Sequence, residues 1–247
     1  MARASVPSSS VIPRVAAVLV LGLSCIAAMN AYATIAAGAD WLAAWTAASA
    51  LYTVVGAGLW RRTPWARSLG LGVVLWGLLA WVQSMFAGLG FQPLLLGIVG
   101  GHAAVAALLA IAPCELQPRH RWSLLLAGAA LPGALMYGFA PLADPQTRVM
   151  LVGGAALLFA MAVGLSRGRT WGLLAALPAV PMLCTGAFVA PAVVPISLMH
   201  PLLAADVMPH GVLLLRFLGV SAAVLACASV LPFAGPVVRF LRRSPAT

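Results

Sequence analysis

Apolar residues fill this chain in long runs, and short stretches with Gly, Pro and charged residues separate the runs. A helix needs about 20 apolar residues to cross a hydrocarbon core about 30 Å thick, and several runs approach that length. The pattern therefore predicts eight membrane-spanning helices. Their ranges are 15–37, 42–60, 68–89, 93–113, 122–142, 149–166, 171–196 and 203–232.

Composition supports a chain whose surface faces lipid. Of 247 residues, 63% are hydrophobic and 7% are charged, whereas soluble proteins carry about 25% charged residues. So few charges are insufficient to cover a water-exposed surface, which excludes the soluble fold classes. We expect an all-α polytopic membrane protein, with the lipid bilayer as its main partner.

Charge alternates between the predicted connections. Asp40, Asp144 and one arginine, Arg148, lie in odd-numbered connections. The other arginines lie at the termini or in even-numbered connections. They are Arg3, Arg14, Arg61, Arg62, Arg67, Arg119, Arg121, Arg167, Arg169, Arg239, Arg242 and Arg243. The exception is Arg216, which falls inside the last predicted helix. Because cytoplasmic connections retain Arg, the pattern predicts a bacterial inner (plasma) membrane protein with both termini cytoplasmic.

The net charge of +10 also raises the question of nucleic acid, since basic faces bind phosphates. The arginines are dispersed in small groups between apolar runs, where they meet lipid headgroups. This placement favours a membrane surface, and we expect no nucleic-acid partner.

Two segments recur about 106 to 108 residues apart. The sequence GLWRRTPW at 58–65 matches GLSRGRTW at 164–171, and PLLLGIVGGH at 93–102 matches PLLAADVMPH at 201–210. We interpret this as a duplication that gives two four-helix repeats, 1–120 and 121–247, in one membrane-embedded unit. With four helices each, the repeats would be parallel, related by an axis along the membrane normal.

The first helix has two interpretations. Arg3 and Arg14, the following apolar run and the Ala31-Tyr32-Ala33 triplet are also features of a signal peptide with its cleavage site. We favour an uncleaved helix, because the second repeat has a corresponding first helix.

The seventh predicted helix is interrupted by prolines. Pro178, Pro181, Pro191 and Pro195 each remove a backbone donor. Broken backbone at membrane depth is tolerated where it is buried in protein or lines a wet cavity. This segment is a candidate ligand path, and a plain proline kink is the alternative.

Two histidines occupy corresponding positions in the repeats, His102 in the fourth helix and His210 in the eighth. Ionisable groups at membrane depth are costly and tend to face a bundle interior or a cavity. At similar depth on either side of the repeat axis, the two imidazoles would form a paired site for a proton, a metal or haem iron. The alternative is that each imidazole bonds separately to a backbone carbonyl.

The eighth helix carries further polar groups. Asp206 and His210 are spaced i, i+4 on one face, which suits a proton relay, unless both lie in a solvated outer loop. Arg216 stays charged and so needs an acid, a phosphate, carbonyls or an anionic substrate, unless its side chain extends to the interface. We select Arg216, His210, Asp206 and His102 as candidate path residues.

Metal binding has weaker support. Met199, His200, Met208 and His210 combine thioethers and imidazoles, which suit copper, but they form no fixed-spacing motif. No cofactor is identified by the sequence. Tryptophans near predicted helix ends, Trp41, Trp45, Trp60, Trp65, Trp122 and Trp171, are typical interface anchors.

These features favour a transporter-like or channel-like component for an ion or small solute, with its path between the two repeats. The alternative is a non-catalytic assembly or sensory subunit that binds a partner protein, a second copy, haem or lipid. A third hypothesis is a membrane thiol enzyme that uses Cys184, with His210 as base and Arg216 as anion holder. Walker, GxGxxG and HExxH motifs are absent from the sequence, so an enzyme is the less favoured class.

Overall fold

Helices account for the architecture of the part of the chain that can be described. The computed structural model describes residues 11–36, 42–85, 92–112, 115–139, 145–167, 169, 171–175, 177–179 and 235. Within these residues it contains six long helices. They are α1 (Val11–Ala36), α2 (Leu42–Trp60), α3 (Pro64–Ser84), α4 (Pro93–Ile111), α5 (Pro118–Phe139) and α6 (Pro145–Ser166).

Four of these helices, α1 to α4, are long and apolar enough to cross a membrane. Many large apolar side chains on their outer faces are exposed, as expected for a lipid-facing surface. The protein is therefore a membrane protein, and the part of the chain that the structure describes is all-helical. Residues 171–175 and 177–179 are helical, but the rest of the predicted seventh helix and the whole eighth lie outside the described residues. Eight spans and two repeats stay predictions.

Besides α1, which begins at Val11 where the sequence pattern predicts 15, three helices begin one turn earlier than predicted. The expected starts were 68, 122 and 149, whereas α3, α5 and α6 begin at Pro64, Pro118 and Pro145. Proline suits the first position of a helix, because its φ is already helical and the N–H it lacks has no partner there. The predictions were wrong because they placed the first residue of each helix at the boundary of the hydrocarbon layer. The first turns carry arginines, which belong in the headgroup layer.

Helices that are consecutive in the chain run antiparallel, whereas α3 and α5 run parallel to each other, and α3 is central among the described helices. It packs against α2, α4 and α5, while α1 packs against α2 and α4, and α6 packs mainly against α5. Buried Val, Leu, Ala and Met side chains form one continuous core across these contacts. α1 belongs fully to this bundle, since Ala16, Ala17 and Val20 have no exposed surface.

A hydroxyl cluster joins α1 to α2. The Ser24 Oγ donates to the Ser49 carbonyl oxygen at 2.8 Å and lies 2.7 Å from the Thr53 Oγ1. Small residues with hydroxyls let membrane helices approach closely and hydrogen-bond across the interface. The cluster is thus a packing contact between two membrane-spanning helices.

A close helix contact joins α3 to α5 through two glycines. A Cβ placed on Gly72 would overlap the Leu125 carbonyl oxygen and the Ala129 nitrogen. A Cβ placed on Gly128 would overlap the Leu69 carbonyl oxygen. Each glycine therefore contacts the backbone of the other helix. Small residues allow such close approach at interfaces between membrane helices. This glycine contact links the first predicted repeat to the second.

The recurring GLxRxxxW segment has matching contacts at its two positions, each of which forms a corner at the end of a helix. In each copy, the first glycine lies at a helix end and packs against the tryptophan seven residues later, Trp65 or Trp171. Backbone hydrogen bonds also correspond. They are Thr63 N to Gly58 O at 2.9 Å and Ala66 N to Thr63 O at 3.1 Å in the first copy, and Arg169 N to Gly164 O at 2.9 Å and Gly172 N to Arg169 O at 3.2 Å in the second. The local geometry is repeated, at least at this corner.

One residue of the first corner has a left-handed backbone. Arg62 has φ 55°, a conformation that costs side-chain-bearing residues about 1–2 kcal/mol and that glycine adopts freely. The sequence has Gly168 at the corresponding position of the second copy.

Arginines gather at one end of the bundle. Antiparallel packing of consecutive helices brings the starts of α1, α3 and α5 and the ends of α2, α4 and α6 to the same end. The arginines there are Arg14, Arg61, Arg62, Arg67, Arg119, Arg121, Arg167 and Arg169. Trp60 and Trp122, at the same end, are more than half exposed, as expected for anchors at a membrane interface.

We predict that alanine at either glycine of the α3–α5 contact destabilises the bundle. Gly72→Ala and Gly128→Ala should each lower the free energy of unfolding by about 1–3 kcal/mol or more, because the new methyl group meets backbone that cannot rotate away. Thermal unfolding of the purified full chain in detergent measures this effect.

Gly97→Ala is the matched control for these variants. Gly97 lies in α4, and a Cβ there would meet nothing within 4 Å. We expect its unfolding free energy to stay within about 0.5 kcal/mol of the wild-type value. Equal destabilisation by all three variants would show that the α3–α5 contact has no special importance.

Candidate polar site in the bundle interior

His102 is a buried polar residue in the middle of α4. Its side chain is 2% exposed, and Nδ1 lies 2.8 Å from the Ile98 carbonyl oxygen. A carbonyl can only accept, so Nδ1 carries the hydrogen and donates it. In the neutral imidazole Nε2 is then an acceptor, and it lies 3.0 Å from the Tyr52 hydroxyl, which donates to it.

Three helices create the space for this pair. Tyr52 comes from α2 and His102 from α4, and their rings meet edge to face at 5.9 Å between centroids. Gly77 of α3 lies against both side chains. A Cβ at Gly77 would stand 2.5 Å from the Tyr52 Oη and 2.6 Å from the His102 Nε2. Glycine is required there, because any larger residue would displace the hydrogen-bonded pair.

The depth of this pair in the bilayer makes its hydrogen bonds essential. His102 stands midway between Pro93 and Ile111, the ends of α4, which places it near the centre of the hydrocarbon layer. An unpaired polar group there costs several kcal/mol, since lipid supplies no donors or acceptors. The Tyr52–His102 pair satisfies both ring nitrogens and the hydroxyl within the bundle.

An additional proton on this pair would go to Nε2, at the cost of burying a charge in the apolar interior. Protonation of Nε2 would turn the imidazole into a donor on both sides. The Tyr52 hydroxyl can rotate about its C–O bond and accept that hydrogen. Tyr52 and His102 can therefore exchange a proton, but the charged form leaves the hydrogen of the Tyr52 hydroxyl without an acceptor in the pair.

Metal binding fits this site less well. A metal at Nε2 would have to displace the Tyr52 hydroxyl, since Nδ1 is committed to the Ile98 carbonyl. Within the described part of the chain, no three His, Cys, Asp or Glu side chains are grouped to hold a metal ion.

Of the four candidate path residues, the structure describes His102. Arg216, His210 and Asp206 lie outside the described residues, as do the metal candidates Met199, His200 and Met208 and the thiol candidate Cys184. The convergence of His102 with His210 and Arg216 therefore stays a prediction. The prolines at 181, 191 and 195 also lie outside the described residues.

Sequence reasoning missed Tyr52 and Gly77. Tyr52 is a polar aromatic residue in the middle of the apolar helix α2, and a buried tyrosine hydroxyl usually needs a partner. That signal could have identified it as a polar site. Its pairing with His102, 50 residues away, depends on how α2 and α4 meet across α3.

Trp45 differs from the expected interface anchor. It is 6% exposed and stacks on Trp81 of α3 with 6.3 Å between ring centroids. Its Nε1 is buried and has no hydrogen-bond partner among the described residues. The prediction of an exposed anchor was wrong here, because the indole packs into the interface between α2 and α3 instead of facing headgroups.

We predict that Tyr52 and His102 are energetically coupled. Tyr52→Phe removes the donor to Nε2 and should destabilise the protein by about 1 kcal/mol. In a double-mutant cycle with His102→Leu, the second substitution should cost less when the first is present. Chemical unfolding of the full chain in detergent measures the free energy of unfolding of each protein in the cycle.

Tyr32→Phe is the control for this cycle, since Tyr32 of α1 is 73% exposed. It should leave stability unchanged. If the effects of Tyr52→Phe and His102→Leu simply add, then the two side chains do not interact in the folded protein.

Comparison with protein-family models, with curated proteins and with solved structures finds no match for this chain.

Proposed function

We propose that the protein is a transporter-like or channel-like component of the bacterial inner membrane, with cytoplasmic termini, that moves an ion or small solute. Its path would lie between the repeats 1–120 and 121–247. The observation that carries the proposal is the Tyr52–His102 pair, a protonatable group held by three helices in an apolar interior. Intramembrane ionisable groups of this kind typically belong to ion or substrate paths and proton relays.

The repeated corner adds support to the two-repeat architecture of the proposal. Segments 58–65 and 164–171 share their backbone hydrogen bonds and their glycine–tryptophan packing. A duplication that extends over both halves would place His210 at the depth of His102. Transporters built from parallel repeats bind their substrates near the midplane, at the interface between the repeats.

The remaining path residues have defined roles in this proposal. Asp206, one turn from His210, would accept a hydrogen bond from that imidazole or balance its charge. Arg216 would hold an anionic substrate or provide the positive charge that a proton-coupled step works against. The proline-interrupted segment 171–196 would line the path with exposed backbone carbonyls.

A second candidate function is a non-catalytic assembly or sensory subunit. The observation in its favour is that Tyr52 and His102 already satisfy each other, and that Gly77 packs tightly on both. Such a closed arrangement suits a contact that holds three helices in register. In that case His102 has no role beyond stability, and the protein acts through a bound partner.

We predict proton flux through the reconstituted protein. Liposomes that contain the full chain and a trapped pH-sensitive dye should acidify faster than empty liposomes under an imposed membrane potential. His102→Gln should reduce the rate about tenfold or more, because a neutral amide cannot carry a proton. Arg216→Ala should also lose flux while inserting normally.

Tyr32→Phe and Gly97→Ala are controls that should keep the wild-type rate, since both positions face outward. A wild-type rate equal to that of empty liposomes would contradict proton movement. Stoichiometric co-purification of another protein would then favour the assembly subunit.

A further inference from the structure

A second polar feature lies at the arginine-bearing end of the bundle, away from the Tyr52–His102 pair. It is a partly open cavity of about 300 Å³ between the start of α3, the end of α4 and the start of α5. The lining residues are Arg67, Ser68, Leu71, Ala110, Pro118, Arg121, Trp122 and Leu125. We call it the α3–α5 cavity.

The guanidinium of Arg67 is fixed at the wall of the cavity. Its Nε donates to the Leu109 carbonyl oxygen at 2.7 Å, and its Nη2 donates to the Ala110 carbonyl oxygen at 2.8 Å. These are among the last carbonyls of α4, which lack partners within the helix. The hydrogen bonds orient the guanidinium plane and leave its formal positive charge in place.

Arg121 lies across the cavity on an exposed turn of α5. Its backbone is anchored by a hydrogen bond to the Gln117 carbonyl at 3.1 Å, whereas its long side chain extends towards solvent. Two arginines from different helices therefore line one opening. Planar guanidinium groups bind phosphate through paired hydrogen bonds, so this pair is suited to a phosphate.

The electrostatic surroundings also favour an anion. Among the described residues Glu115 is the one acid, and it is exposed in the connection between α4 and α5. Burial lowers the pKa of His120, and the neighbouring Arg119 charge lowers it further. Near neutral pH the positive charge at this end therefore comes from arginines, which remain charged whatever the ligand.

The depth of the lining residues in the bilayer determines which phosphate-bearing ligand the cavity suits. Leu71 and Leu125 stand four residues beyond Arg67 and Arg121, which places them about 6 Å deeper in the bilayer. Trp122 at the rim is 59% exposed, as in the headgroup layer. The cavity is thus charged at headgroup level and apolar below, and its volume is at the lower limit of ligand sites, about 300–1,000 Å³.

We propose that the α3–α5 cavity binds the phosphate of an anionic phospholipid, with Arg67 and Arg121 on the phosphate and Leu71 and Leu125 along the first methylene groups of the acyl chains. The site is independent of the proposed transport path. It would fix the protein to anionic lipid at the membrane surface that bears its arginines.

Native mass spectrometry of the full chain in detergent tests this proposal. The probes are phosphatidylglycerol and phosphatidylcholine with identical acyl chains. Phosphatidylglycerol should bind more tightly than phosphatidylcholine. Arg121→Gln should lower the affinity for phosphatidylglycerol about fivefold, which is the effect of losing one basic residue at an anionic surface. Arg61→Gln is the matched control, since Arg61 lies at the same end but does not line the cavity.

Inorganic phosphate and glycerol 3-phosphate distinguish the two sources of the phosphate group. Failure of millimolar concentrations of either to displace phosphatidylglycerol supports a lipid ligand, because both lack acyl chains. Displacement by either would keep the phosphate site but overturn the lipid assignment. Equal loss of binding in Arg121→Gln and Arg61→Gln, or equal affinity for the two lipids, would overturn the proposal.

Arg67→Gln provides a second variant. It should lower the affinity for phosphatidylglycerol at least as much as Arg121→Gln does. It also removes the side-chain hydrogen bond to the last carbonyls of α4. Its thermal stability without lipid is measured alongside, and Arg67→Lys should restore part of the lipid affinity if charge is what binds. Full affinity in Arg67→Gln would contradict the assignment of this residue.

Discussion

Hydrocarbon supplies no hydrogen-bond donors or acceptors, and this constraint shapes every polar contact in the bundle interior. His102 satisfies both ring nitrogens, one on the carbonyl a turn earlier and one on Tyr52. Ser24 bonds to Ser49 and Thr53 across the α1–α2 interface. Each polar side chain thereby specifies which helix must stand beside it, in a bundle whose apolar surfaces would otherwise pack in many equivalent ways.

Close packing is the second consequence of the same constraint. Apolar side chains gain little by leaving lipid for each other, so van der Waals fit between helices has to supply the stability. Glycine provides that fit at the α3–α5 contact, where Gly72 and Gly128 let the two backbones touch. Gly77 has the same role beside the Tyr52–His102 pair. The polar pair and the small residue are one structural unit, because neither works without the other.

Helix positions followed from the sequence better than helix contacts did. The apolar run at 42–60 matched α2 at both ends, since charge and Gly or Pro breaks coincide with the membrane boundary there. The starts of α3, α5 and α6 were placed one turn too late, because helical hydrogen bonding continues beyond the hydrocarbon into the headgroup layer. Hydropathy indicates whether a residue lies in lipid or in water, whereas a proline indicates where the helix begins.

The candidate site was predictable only in part. His102 stood out as an ionisable residue in an apolar run, and the structure shows it buried, with Nδ1 on a backbone carbonyl as in the alternative that the sequence left open. Its partner could not be found by spacing, because Tyr52 and Gly77 reach it from other helices. The corner at 58–65 was different, since its glycine, arginine and tryptophan are local in sequence, and their recurrence at 164–171 was visible before any geometry.

The glycine contact between α3 and α5 has a mechanical consequence. It joins α3 to α5, and it is made of main chain, which cannot change rotamer to accommodate movement. Any movement of α5 against α3 must keep this contact closed and pivot about it, or else open it at a large cost in packing. Gly72 and Gly128 would then set the axis of the motion as well as the cohesion of the molecule.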